Sequence, residues 1–181
     1  MHAISQEGEK LSFIAKGALK SKKRFSGGVL EPTHYVELTY KEARGGQGLR
    51  WIEEAKLLKD FQGLRLNYEK LELAWRVVEC GYYISQEGDQ NSELLFNLLG
   101  NTLMAAENCK NENLELLKLH FYLKLLYQQG VISPEVWMGP FLKTSTRESQ
   151  NLEEVFKEIK HKLPLFEQQI KSYLNSGVTT V

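Results

Sequence analysis

With 181 residues, 42% of them apolar, and a formal charge of zero, the chain can bury a core and is too apolar for disorder over most of its length. Its apolar runs fall well short of the ~18–20 residues of a membrane helix, and MHAISQEGEK carries neither an apolar h-region nor a cleavage site, so a cytoplasmic protein without membrane contact is expected. The two cysteines, Cys80 and Cys109, form no CxxC, which excludes a disulfide scaffold and a zinc ribbon.

The first ~60 residues alternate with period two, the mark of half-buried strands. Leu11, Phe13 and Ala15 face one way and Lys10, Ser12 and Ile14 the other. In THYVELTY, Val36, Leu38 and Tyr40 share a face. In LRWIEEAKLL, Leu49, Trp51, Ala55 and Leu57 fall on one side, with Glu53 among them and Ile52 opposed. Gly27-Gly28 is expected to precede a short strand, and Ala43 to Gly48 to form a hairpin loop.

From Asn67 the period becomes helical. Asn67 is the expected N-cap, with Glu69 in the first turn and a stripe of Leu71, Ala74, Trp75, Val78 and Tyr82. A second helix carries Leu95, Leu98, Leu99, Thr102 and Leu103. A third, from about Glu112 to Gln129, is apolar on most sides, as the buried centre of a bundle should be, and Gly130 suits its C′ position. Ser133-Pro134-Glu135 restarts the chain, and a last helical region near residues 151–175 should divide around Leu163 because of Pro164. The fold class is α+β: a small OB-type β domain over residues 1–64, then an α-helical domain over 65–181.

Motifs for catalysis, nucleotide cradling and metal binding are missing. The four histidines are scattered, and His120 beside Phe121 reads as a hydrogen-bonded structural residue. The pairs Glu53-Glu54 and Glu153-Glu154 are adjacent residues that point apart, which makes poor acid–base couples. No enzyme, cofactor, metal or small-molecule substrate is expected.

Charge is uneven. Residues 1–50 hold nine Lys/Arg and five Asp/Glu, net +4, and the remainder carries −4. The excess gathers in AKGALKSKKRF, where Lys16, Lys20, Lys22, Lys23 and Arg24 leave a strand through Gly17. Cations beside aromatics on a small barrel suit a single-stranded nucleic acid, because cations release counterions from phosphates and aromatic faces stack bases. Tyr35, Tyr40 and Trp51 are candidate stacking rings, while Phe25 is set either to pack beneath the loop or to stack.

Several stretches, in order, resemble the bacterial recombination mediator RecO family. Ala15-Lys16-Gly17-Ala18, Arg24-Phe25 and Gly28-Val29-Leu30-Glu31-Pro32 are similar to its AKGxRxxxSRxxGxLxPF region. Glu54 to Phe61, Leu64-Arg65 and Tyr68 to Leu71 resemble its passage from barrel to first long helix. Leu94 to Leu99 is similar to its LFxLL, and Phe121 to Leu126 followed by Gly130 to its FELxLLxxxG. Lys23 stands where the family has Ser, Thr33 where it has Phe, and Val131 to Glu135 where many relatives place a four-cysteine zinc knuckle. The match begins so near Met1 that the first barrel strand is expected to be missing or to lie upstream, exposing a sheet edge.

The resemblance implies a non-enzymatic DNA repair mediator. Such a protein binds single- and double-stranded DNA, anneals strands, and with RecR-like and SSB-like partners helps load a recombinase. It implies DNA contacts at Lys16, Lys20 and Arg24, with Lys22 and Lys23 as neighbours. The alternative is a protein-interaction module of the same fold with weak DNA binding. Lys118 and Lys124 on the helices are candidate partner-binding residues.

Overall fold

The computed structural model describes residues 1–18, 21, 24, 25, 27–42, 49–88 and 93–177. The fold is α+β: a four-stranded sheet followed by helices. The strands are β1 (His2–Ile4), β2 (Lys10–Ile14), β3 (Tyr35–Lys41) and β4 (Arg50–Lys59), in the order β1-β2-β4-β3. β1 pairs antiparallel with β2, β2 parallel with β4, and β3 antiparallel with β4. A small mixed sheet of this kind is consistent with an OB-type domain. Among the described residues, β1 and β3 are the sheet's edges. The hairpin expected at Ala43 to Gly48 lies outside the described residues.

The barrel's core is small: Leu11, Phe13, Phe25, Val29, Ile52 and Ala55. Two expectations are corrected here. No strand follows Gly27-Gly28. Gly28 takes a left-handed φ of 77°, the Glu31 N–H bonds back to its carbonyl at 3.1 Å, and Val29 drops into the core from the resulting turn. On β4, Trp51 and Ala55 do not share a face. Tyr40 sits opposite Ile52 and Thr39 opposite Glu54, so Glu53 is an extra residue. This bulge resets the alternation, and Ile52 and Ala55 both point inward while Trp51 stays exposed.

The α-helices are α1 (Gln62–Arg65), α2 (Tyr68–Ile84), α3 (Glu93–Asn108), α4 (Leu114–Gln128), α5 (Gly139–Lys143), α6 (Glu153–Ile159) and α7 (Leu163–Gly177). Asn67 caps α2 as expected, its side-chain oxygen accepting from the Lys70 N–H at 3.0 Å. Replacing Asn67 with Ala leaves that donor unpaired and should cost about 1 kcal/mol, read as a lower thermal midpoint.

The expected face of α2 is shifted by about one position. Leu73, Ala74, Val77, Cys80 and Gly81 are buried, whereas Leu71, Trp75 and Tyr82 are exposed. Small residues decide this, because α2 meets β1 and α3 at close range. A Cβ on Gly81 would lie 2.6 Å from a Leu99 methyl and 2.7 Å from an Ile4 methyl. The larger side chains cannot enter so narrow a gap. Burial also pushes the Cys80 thiol up to about 12, which leaves it an inert packing group.

α4 is the axis of the helical domain, with ten buried residues from Leu114 to Leu126 spread around its circumference. Gly130 ends it at φ 68°, and the Val131 N–H reaches back to the Leu126 carbonyl at 2.9 Å. A 3-10 turn at Lys160–Lys162 separates α6 from α7, and Pro164 falls in the first turn of α7, where its missing N–H has no bond to break. Phe61 and Leu64 already belong to the helical core, so core membership changes between Ala55 and Phe61. Phe61 holds a left-handed φ of 49°, turning the chain out of β4 while its ring stays buried.

Polar contacts also join the barrel to the helical part. The Lys10 N–H donates to the Gln86 carbonyl, the Ser12 hydroxyl to Glu87, and the Gly88 N–H to Glu9. On the other side, Lys59 pairs with Glu107 at 2.8 Å.

Candidate nucleic-acid interface

The segment after β2 coils back on itself. The Ser21 N–H donates to the Gly17 carbonyl at 2.9 Å, and the Phe25 N–H to the Ser21 carbonyl at 3.0 Å. Gly17 adopts φ 77°, and a Cβ there would stand 3.1 Å from the Arg24 guanidinium, so this exit suits glycine. The segment's far end is anchored in the barrel. Phe25 is buried and bridges Ala55 in parallel, and the Ala55 N–H donates to the Arg24 carbonyl at 3.1 Å. Phe25 therefore packs beneath the loop and offers no ring to a base.

Lys16 and Arg24 are exposed and adjacent. The Arg24 guanidinium donates to the Lys16 carbonyl at 3.4 Å and to the Ser21 hydroxyl at 3.3 Å, which aims it along the loop. Lys20, Lys22 and Lys23 lie outside the described residues.

The surrounding cations are differently placed. Lys41 pairs with Glu53, Arg50 with Glu9 and Glu42, Lys56 with Glu37, and Lys59 with Glu107. Among the described residues, neither Lys16 nor Arg24 has an ion-pair partner. A cation already neutralised releases little counterion from a phosphate backbone, so free cations dominate such a surface. Sequence reasoning could not sort paired from unpaired cations, because the carboxylates involved come from other strands, from Glu9 and Glu42 beside them, or from helix α3.

The three candidate rings also separate. The Tyr35 hydroxyl accepts from the Gln6 amide at 3.1 Å, and its ring lies 6.1 Å from Phe96. Tyr40 meets Phe13 edge-on at 5.2 Å. Trp51 stands 48% exposed with the Lys16 ammonium 3.7 Å from its ring centroid.

The residues proposed for partner contact are both engaged within the helical domain. Lys118 on α4 pairs with Glu167 on α7 at 2.5 Å. Lys124 donates to the carbonyls of Leu142 and Thr144 at 2.8 and 2.7 Å, and burial lowers its pKa. It thereby satisfies carbonyls at the end of α5. Among the described residues, no group of three or more His, Cys, Asp or Glu side chains is placed to hold a metal ion, and no helix is long and apolar enough to cross a membrane.

Residues 2–61 match the family described as Recombination protein O N terminal. The DNA repair protein RecO of Syntrophobacter fumaroxidans is 40% identical over 99 residues, covering 55% of this chain and 38% of that protein. The RecO of Desulfosudis oleivorans is 31% identical over 128 residues, covering 71% and 48%. The RecO of Syntrophus aciditrophicus is 34% identical over 98 residues, covering 54% and 37%. The matched part spans less than half the length of these relatives. No solved structure matches. Over residues 2–61 the chain is thus similar to the N-terminal domain of the RecO family, and its likeness to RecO proteins extends over as many as 128 residues.

Proposed function

We propose that the chain is a non-enzymatic DNA repair and recombination factor that holds the DNA backbone on its barrel. It binds single- and double-stranded DNA without sequence preference, promotes annealing, and works with RecR-like and SSB-like proteins in recombinase loading. The repair role rests on the relatives' names and on the matched N-terminal domain. The observation that carries DNA contact is the contrast on the barrel surface: Lys16 and Arg24 have no ion-pair partner among the described residues, whereas Lys41, Arg50, Lys56 and Lys59 are paired. Lys20, Lys22 and Lys23 belong to the same short segment and add to its charge.

The test is titration of fluorescent single-stranded DNA over a range of salt. Replacing Lys20, Lys22, Lys23 and Arg24 with Ala should flatten the log–log salt slope by about 0.7 per lost phosphate contact, nearly three units in all. A slope unchanged by the four substitutions would sink the proposed site. The alternative, a protein-interaction module of the same fold, predicts weak or absent DNA binding in the wild type with retained capture of a partner peptide. On that reading, Lys118 and Lys124 receive a partner only after releasing Glu167 and the α5 carbonyls.

A further inference from the structure

We propose that Trp51 is the base-stacking platform of this interface and that it makes the site prefer single strands, with Lys16 covering the ring in the free protein. The inference rests on the DNA-binding reading above and adds the group that reads strandedness. Phosphate contacts alone do not select a single strand, since a duplex presents the denser backbone charge. A flat ring does distinguish them, because a duplex keeps its bases stacked and paired while a single strand can offer a base face.

Of the barrel's aromatic rings, Trp51 is placed for this role. Tyr35 is held between Gln6 and Phe96, Tyr40 lies edge-on to Phe13 opposite inward-facing Ile52, and Phe25 is buried. Trp51 projects on the other side of β4 from Ile52, a direction set by the alternation just before the Glu53 bulge. Its backbone neighbour on β2 is Ile14, two residues before Lys16, so the parallel β2–β4 pairing brings ring and cationic loop together. Lys41, opposite Trp51 on β3, is tied to Glu53 and does not compete for the ring.

The Lys16 ammonium lies 3.7 Å from the indole centroid, about where a stacked base would sit. An exposed cation–π contact is weaker than a base–indole stack, so a base displaces the ammonium. The freed cation, on a flexible four-carbon stem, then meets the phosphate beside that base. One residue thus shields an exposed indole in the free protein and becomes a backbone contact in the complex.

The test compares an oligothymidylate of about 20 nucleotides, longer than the ~4–16 nucleotides an OB fold covers, with a duplex of equal length. Wild type, Trp51→Ala, Trp51→Phe and Lys16→Ala are titrated with both at several salt concentrations. Trp51→Ala should weaken oligothymidylate binding about tenfold, with duplex binding and the salt slope unchanged. Trp51→Phe should recover most of the loss, and Lys16→Ala should lower the slope by about 0.7. The oligothymidylate should quench tryptophan emission in the wild type and lose that quenching in Trp51→Phe, whose thermal midpoint verifies folding. If Trp51→Ala binds as the wild type does, or loses strand and duplex alike, the platform role is wrong while DNA binding stands. If the wild type binds neither DNA at low salt, the platform falls together with the DNA-binding reading.

Discussion

Replacing Phe121 with Ala should destabilise the protein by about 3–5 kcal/mol, enough to unfold a large fraction of a marginally stable domain at physiological temperature. Phe121 is fully buried on α4, the helix around which α2, α3, α5 and α7 pack. The loss has two parts: the apolar surface of the ring, and the cavity left behind. That cavity cannot close, because Leu117, Leu119, Leu123 and Leu125 on the same helix are themselves fully packed. Urea unfolding followed by circular dichroism measures the effect. Leu66→Ala, at a residue 88% exposed, is the control and should fall within about 0.5 kcal/mol of wild type. Equal midpoints for the two variants would contradict the assignment of α4 as the axis of the bundle.

Acid should weaken the protein well before its carboxylates titrate, and His120 is the reason. Its Nε2 lies 2.7 Å from the Phe141 carbonyl and 3.2 Å from that of Thr144, so it carries the proton, and its Nδ1 faces the Ser149 hydroxyl at 2.8 Å. With Nε2 protonated, Nδ1 accepts from the Ser149 hydroxyl, whose oxygen also lies 2.7 Å from the Thr146 carbonyl and has one proton to share between the two acceptors. The imidazole thereby clamps α5 and the following 3-10 turn onto α4.

Burial lowers its pKa from 6.5 to about 4, and the Lys124 ammonium pushes the same way. The unfolded chain takes up its proton near pH 6.5, whereas the folded protein resists until about pH 4. His120 therefore costs no stability above pH 6.5. Stability then falls as pH drops through that window, by about 1.4 kcal/mol per unit and roughly 3 kcal/mol in all. His120→Gln should flatten the unfolding free energy between pH 6.5 and 5, above the carboxylate range. A profile as steep as wild type there would remove His120 as the cause.

Much of this was legible in the chain because it depends on neighbours in sequence. The helical period from Asn67, the cap at Asn67, the glycine ending α4 and the apolar circumference of α4 are all local or periodic signals. The cationic run and Gly17 marked the candidate interface in the same way. Readings failed where a distant element intervened. A bulge at Glu53, set by pairing with β3, moved Trp51 away from Ala55 and put it on the surface. The face of α2 rotated because Gly81 must admit Ile4 and Leu99, which size and hydropathy along α2 do not reveal. The turn after Gly27-Gly28 replaced an expected strand because Val29 is needed in the barrel core.

By itself, then, the sequence determined the fold class, the strand-to-helix order, the buried axis and the place of the cationic loop, since periodicity, caps and charge runs act over a few residues. The tertiary structure alone decided which cations are free. Lys41, Arg50, Lys56 and Lys59 are neutralised by carboxylates brought from other segments, while Lys16 meets an indole supplied by β4, 35 positions later in the chain. The reason is physical: a charge is screened, and a ring is covered, by whatever the fold brings within a few ångströms, and sequence distance carries no information about that.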